Sequence, residues 1–160
     1  MAEAKDIDDS LDFLRYFEKY TEKPDLGTLI QEKLSADKKS LELNGFKLKV
    51  EDFNAISGFT PIKNLKHLSL DQTGLNSAGL QPLSASDSFT NLKTLSLANN
   101  NLDDEAIFFL TKCSSLTQID SLNLSSNELG SLGAKVLSLA AGLPSLKRLD
   151  LSYNRIEGLG

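Results

Sequence analysis

From Leu41 onward the apolar residues fall into one frame, L-x-x-L-x-L-x-x-N-x-L, that recurs along most of the chain. Leu65, Leu68, Leu70 and Leu75 make one copy, with Thr73 where the asparagine would stand. Leu92, Leu95, Leu97, Asn100 and Leu102 make the next, followed by Ile119, Leu122, Leu124, Asn127 and Leu129. Leu146, Leu149, Leu151, Asn154 and Ile156 close the series. A weaker first copy holds Leu41, Leu43 and Leu48, with Lys38 at the opening leucine and Phe46 at the asparagine. The step from Leu41 to Leu68, Leu95, Leu122 and Leu149 is 27 residues each time, a period that marks a repeat architecture.

The intervening segments keep the same register. Offset by 27, the columns read Phe53, Leu80, Ile107, Ala134; Ile56, Leu83, Leu110, Leu137; Phe59, Ser86, Cys113, Ala140; and Ile62, Phe89, Leu116, Leu143. A spacing of three within each copy is helical. Asp103, Asp104 and Glu105 place acid where a helix N-terminus favours it, and Gly142 followed by Pro144 suits a helix exit. Pro82 is expected to shorten or distort its helix, because an interior proline removes a hydrogen bond and crowds the preceding turn. Each copy is thus a short strand, a turn and a returning helix, so the strands stack in parallel. Strands lie about 4.8 Å apart and helices about 10 Å apart, so the array must curve with its sheet on the concave side. The expected fold class is an α/β solenoid.

The quoted motif resembles the leucine-rich repeat family. Residues 127–137 (NELGSLGAKVL) and 143–152 (LPSLKRLDLS) resemble its ribonuclease-inhibitor-like subtype, shared by ribonuclease inhibitor, Ran GTPase-activating protein and tropomodulin. The resemblance covers roughly residues 41–160. It implies a fold more than a function, because this fold hosts inhibitors, GTPase activators, actin caps and ligase adaptors.

Stacked repeats need their apolar ends covered. Residues 1–37 are expected to form an N-terminal helical cap and 38–160 the repeats, four to five with the last incomplete, in one structural domain. In the cap, Ser10 can begin a helix with Leu11, Leu14 and Phe17 on one stripe. Pro24 can open a second with Leu26, Leu29, Ile30 and Leu34. A rival reading makes Phe13, Tyr16, Phe17 and Tyr20 a partner-binding patch. At Ile156 the sequence stops where another helix would begin, so the fifth strand is expected to be an open edge. Truncation of a longer array, or covering by another chain including a second copy, would each answer that edge.

Composition narrows the function. Residues 1–40 carry seven Lys/Arg against ten Asp/Glu and residues 41–160 carry ten against twelve, giving a net charge of −5. A mixed, acidic chain of this kind is not expected to hold nucleic acid. No apolar run approaches the ~20 residues of a membrane span, and the N-terminus lacks a secretory h-region, so the expected location is cytoplasmic, without membrane association. One cysteine, Cys113, and one histidine, His67, are too few for a Cys/His metal site, and no metal or cofactor is expected. Asn123-Leu124-Ser125 matches a glycosylation sequon but falls within an expected strand, which argues against a glycan.

Asn100, Asn127 and Asn154 follow their strands at the turn, where a buried amide can bond its own and the neighbouring backbone as a structural ladder. Thr73 can do part of that work and Phe46 cannot. Side chains between the leucines are expected on the concave wall, where the candidate partner-binding residues are His67, Asp71, Gln72, Asn99, Asn123, Arg148, Asp150 and Tyr153. The wall offers about 20 residues, near the ~20–30 per side of a standard interface. Its only Tyr and Arg, Tyr153 and Arg148, place the strongest expected contacts in the last copy. His67, Ser69 and Asp71 share a strand face, but same-face neighbours about 7 Å apart cannot make triad hydrogen bonds. Cys113 sits in a packed column. The expected function is a non-enzymatic scaffold that binds a protein partner. The family resemblance implies an alternative, regulation of a small GTPase through a loop-side arginine, and no arginine lies between Arg15 and Arg148 to match it.

Overall fold

The computed structural model describes residues 25–158. Helices α1 (Leu26–Lys33), α2 (Val50–Gly58), α3 (Ser77–Ser84), α4 (Asp104–Lys112) and α5 (Ser131–Ser138) alternate with strands β1 (Ser40–Glu42), β2 (His67–Ser69), β3 (Thr94–Ser96), β4 (Ser121–Asn123) and β5 (Arg148–Asp150). The strands form one parallel sheet in sequence order. Its register follows the 27-residue period, with Ser40 beside His67, then Thr94, Ser121 and Arg148. This is an α/β leucine-rich repeat solenoid.

The motif leucines close the interior. Leu41, Leu68, Leu95 and Leu122 at the strand centres are buried, as are Leu43, Leu70, Leu97 and Leu124 two residues on. Phe53, Leu80, Ile107 and Ile56, Leu83, Leu110 meet them from the helices. Leu149, the fifth member of its column, is 42% exposed.

Local chemistry sets the helix ends. Asp25 caps α1, accepting from the Thr28 N–H at 3.4 Å, so the helix begins two residues later than a start at Pro24 would give. Asn76 accepts from the Gly79 N–H at 3.0 Å to start α3. Asp103 accepts from Glu105 and Ala106 to start α4, the acid-first arrangement that a helix dipole favours. Helix α5 has Gly130 at its cap and borrows from the preceding coil, the Gly130 N–H donating to the Asp104 carboxylate at 2.8 Å.

Three sequence expectations change. Helices α2, α3 and α4 stop before the third and fourth columns: Phe59 and Cys113 are C-caps, and Thr60–Ile62 and Asp87–Phe89 are single 3-10 turns. The i, i+3 spacing continues there because a 3-10 turn also repeats every three residues. Pro82 does not break α3, which spans eight residues, as many as α5 and one fewer than α2 and α4. Gly142 lies beyond the end of α5 at Ser138, in a turn where a Cβ would collide with the Thr111 carbonyl of the coil before. Its small size serves close backbone approach rather than helix exit. The proposed helix at Ser10 and the aromatic residues Phe13 to Tyr20 lie outside the described residues.

Candidate functional site

The wall is built by a backbone device repeated in every coil. Gly45, Gln72, Asn99, Ser126 and Tyr153 all adopt positive φ, between 53° and 79°. A left-handed residue interrupts strand alternation, so the side chain before it and its own both turn away from the core while the next one, at Thr73, Asn100, Asn127 or Asn154, turns in. Gln72, Asn99 and Tyr153 are accordingly exposed, Tyr153 at 86%. These residues belong to a turn, not to the strand that the sequence pattern extends through them. Their N–H groups tie the coils together, Gln72 donating to Ala98, Asn99 to Ser125 and Ser126 to Ser152.

Behind this turn the Asn100 carboxamide oxygen accepts from the N–H groups of Thr73, Gly74 and Leu75 at 3.0–3.1 Å. Its amide donates to the Leu70, Leu97 and Ala98 carbonyls. Asn127 repeats the pattern with Leu102, Leu97 and Leu124, and Asn154 with Leu129, Leu124 and Leu151. Thr73 makes the intra-coil half, its hydroxyl donating to the Leu70 carbonyl at 2.9 Å. Phe46 instead packs against the core, with the Lys33 ammonium 5.5 Å from its ring.

A second ladder was not evident from the motif. Asn44 Oδ1 accepts from the Ser69 hydroxyl at 2.7 Å and the Asp71 N–H at 2.9 Å. Asp71 Oδ1 accepts in the same way from the Ser96 hydroxyl and the Ala98 N–H. The series ends at Ala98, which has no acceptor. The signal in the sequence is an Asn or Asp paired with a serine 25 residues later. Asp71 therefore holds one coil to the next with one carboxylate oxygen. In the last two coils the Asn or Asp two residues earlier turns inward on its own loop: Asn123 accepts from Ser125, and Asp150 from the Ser152 N–H. The Ser152 hydroxyl and N–H hold the Asp150 carboxyl below the ordinary aspartate value.

The candidate residues are divided along the solenoid. His67 is exposed on β2. Arg148 stands at the start of β5, pairing with Asp120 at 3.1 Å, and Arg155 pairs with Glu128 at 3.3 Å. The concavities lie at the other end. A groove of about 250 Å³ runs over Ser40, Glu42, His67, Ser69, Thr94 and Ser96. Next to it a wider one of about 410 Å³ is lined by Glu32, Lys33, Ser35, Ser40, Glu42, Asn44 and Phe46. Glu42 stands in the wall column that the 27-residue period defines, in register with Ser69, whereas Glu32 lies on α1, outside the repeat, where no period marks it. Within the core, a void of about 20 Å³ among leucines is far below the ~300 Å³ of a small-molecule pocket.

No triad forms at His67. Ser69 donates to Asn44, and Asp71 accepts from Ser96 and Ala98. Cys113 is buried, its sulfur 3.2 Å from the Ser115 hydroxyl. Nothing points to catalysis. Among the described residues, no helix is long and apolar enough to cross a membrane.

The repeated strand, left-handed turn, asparagine ladder and helix give this chain the fold of leucine-rich repeat proteins of the ribonuclease-inhibitor-like type. The leucine-rich repeat family model matches residues 90–110, 112–138 and 142–160. Among solved structures, the chain is similar to a tropomodulin C-terminal domain from Caenorhabditis elegans. The identity is 21%, the TM-score is 0.59, and 80% of this chain and 83% of that chain are covered. At that identity the likeness is one of fold. No curated protein sequence matches.

Proposed function

We propose that this protein is a non-enzymatic interaction scaffold that holds a protein partner on its concave wall and adjoining loops. The observation that carries the reading is the wall itself. Its outward side chains are small and polar, and it is backed by a core and two hydrogen-bond ladders that fix it before any partner arrives. Such pre-organisation lowers the ordering cost of association. On this reading His67, Gln72, Asn99, Asn123, Arg148, Asp150 and Tyr153 contribute contacts, while Asp71 contributes mainly by holding the wall. Solenoid repeats build extended concave surfaces suited to this use. The reading places the protein in the cytoplasm. It also allows the exposed β5 edge to engage a second copy. No observation favours a GTPase-regulating role for Arg148 or Arg155.

The test is site-directed photo-crosslinking in native lysate. A crosslinker at Ser96 or Ser121 on the sheet is expected to capture a partner that one at Ser138 on α5 does not, and Tyr153→Ala with Arg148→Ala is expected to weaken the capture. Capture from Ser138 alone would overturn the concave assignment.

A further inference from the structure

We propose that the rim where the strands begin is a docking surface for an acidic protein segment; this rests on the scaffold reading and names its partner chemistry. The residue just before each strand is Lys39, Lys66, Lys93, Asp120 and Lys147 in turn. The register stacks these residues in one file. Their backbones are fixed, because the carbonyls of Lys39, Lys66, Lys93 and Asp120 each accept two N–H groups from the next coil. Lys39, Lys66 and Lys147 are exposed, Lys39 with the Asp37 carboxylate 3.5 Å from its ammonium in a solvent-exposed pair that a ligand carboxylate can join, and Lys93 Nζ is steadied by Gln118 Oε1 at 2.8 Å.

The surrounding charge reinforces the file. Between each helix end and the first residue of the next strand, the described chain carries seven Lys/Arg against three Asp. From the last strand residue to the next helix start, or to residue 158 after β5, the ratio reverses to seven Asp/Glu against three Lys/Arg. A chain with a net charge of −5 is thus polarised across its sheet. Four inter-strand steps of about 4.8 Å give a basic file of roughly 19 Å, the length of about six extended residues. The chemistry favours carboxylates on a peptide over the other polyanions. The rim's aromatic residues, Phe59 and Phe89, are half-buried and buried, so it has no platform on which bases could stack. On this rim the one strongly exposed large apolar residue among those described, Leu139, is too little for membrane insertion. The acidic opposite rim disfavours a phosphate polymer that wraps the molecule.

The probe is a fluorescein-labelled decaglutamate peptide, titrated with the full chain by fluorescence anisotropy at low and physiological ionic strength. Binding is expected at low salt and should weaken as salt screens it. It should fall at least tenfold in the variant Lys39→Gln/Lys66→Gln/Lys93→Gln/Lys147→Gln. The helix variant Lys112→Gln/Lys135→Gln should bind as the parent does. Should the fourfold variant fail to fold by circular dichroism, Lys39→Gln/Lys147→Gln at the exposed ends is expected to lose at least threefold. Absence of decaglutamate binding, equal binding by the rim variants, or tighter binding of an oligothymidylate or of phosphatidylserine vesicles would each overturn the proposal. A partner captured from Ser96 or Ser121 whose affinity ignores the lysine changes would also sink it, while leaving the concave scaffold reading intact.

Discussion

At the scale of single residues, the asparagines do the most with the fewest atoms. Asn100 is 7% exposed and serves three backbone N–H groups of one coil and carbonyls of two. Asn100→Ala should cost about 3 kcal/mol, the upper end of the ~1–3 kcal/mol for stranding a buried polar group, because several lose partners together. Asn154 is half-buried and accepts from one N–H, so Asn154→Ala should cost about 1 kcal/mol, nearer the lower end. Urea denaturation of the two variants checks the order, and an equal loss would mean the ladder is not graded by burial. Asp103 supplies a pH signature. The Ser77 hydroxyl, 2.5 Å away, lowers its pKa most; desolvation opposes it as the next largest influence, and the Ala106 and Glu105 N–H groups add to the lowering. A carboxylate with a folded-state pKa below its unfolded value of 3.8 stabilises the protein above that pH, and the contribution disappears as pH falls through the lower folded value. Ser77→Ala should move the Asp103 titration upward in an NMR pH series and flatten the acid limb of the stability profile. No upward movement would reject the serine as the main cause.

Among the elements, α3 is the informative one. An interior proline is about 3 kcal/mol worse than alanine in a free helix, yet α3 keeps eight residues through Pro82. Packing of Leu80 and Leu83 into the core, together with the Asn76 cap, holds it against that penalty. Pro82→Ala should return the missing N–H and, after loss of the half-buried ring, stabilise the chain by about 1 kcal/mol. A lower thermal midpoint would show that the ring's packing outweighs the hydrogen bond. The comparison also shows what a sequence discloses about elements. Strand position and register were legible, because the leucine period is a direct record of which side chains face the core. The helix ends were not, because a 3-10 turn preserves the same i, i+3 spacing after the α-helix has stopped. The positions of Gly45, Gln72, Asn99, Ser126 and Tyr153 were read as strand for a related reason: a left-handed φ leaves a residue signature only at Gly45 and Asn99, and none at Gln72, Ser126 or Tyr153. The Asn44 and Asp71 ladder depends on hydrogen bonds between coils, which no intra-repeat pattern records.

For the whole molecule, stability should be graded along the stack. A solenoid coil touches only its neighbours, so its stability is the sum of its own terms and those of two interfaces. Among the described residues β5 is paired on one side, with β4, and its central Leu149 is 42% exposed against 2% for Leu122. Leu122→Ala should therefore cost about 3 kcal/mol, within the ~2–5 kcal/mol of a leucine truncated in a closed core. Leu149→Ala should cost less than about 1 kcal/mol, since much of its surface is already in water and little cavity is left. The same gradient predicts an order of hydrogen exchange. The Leu124 and Ser126 N–H groups, which donate to Asp150 and Ser152 of the last coil, should exchange before those of Leu70, Gln72 and Leu97, which donate to interior coils. Native-state exchange by NMR resolves these amides individually, and local opening of a single interface would appear as a lower protection for the first pair. Uniform protection across all five would mean that the coils unfold as one cooperative unit, with coupling between neighbours large enough to erase the difference that burial creates at the last strand.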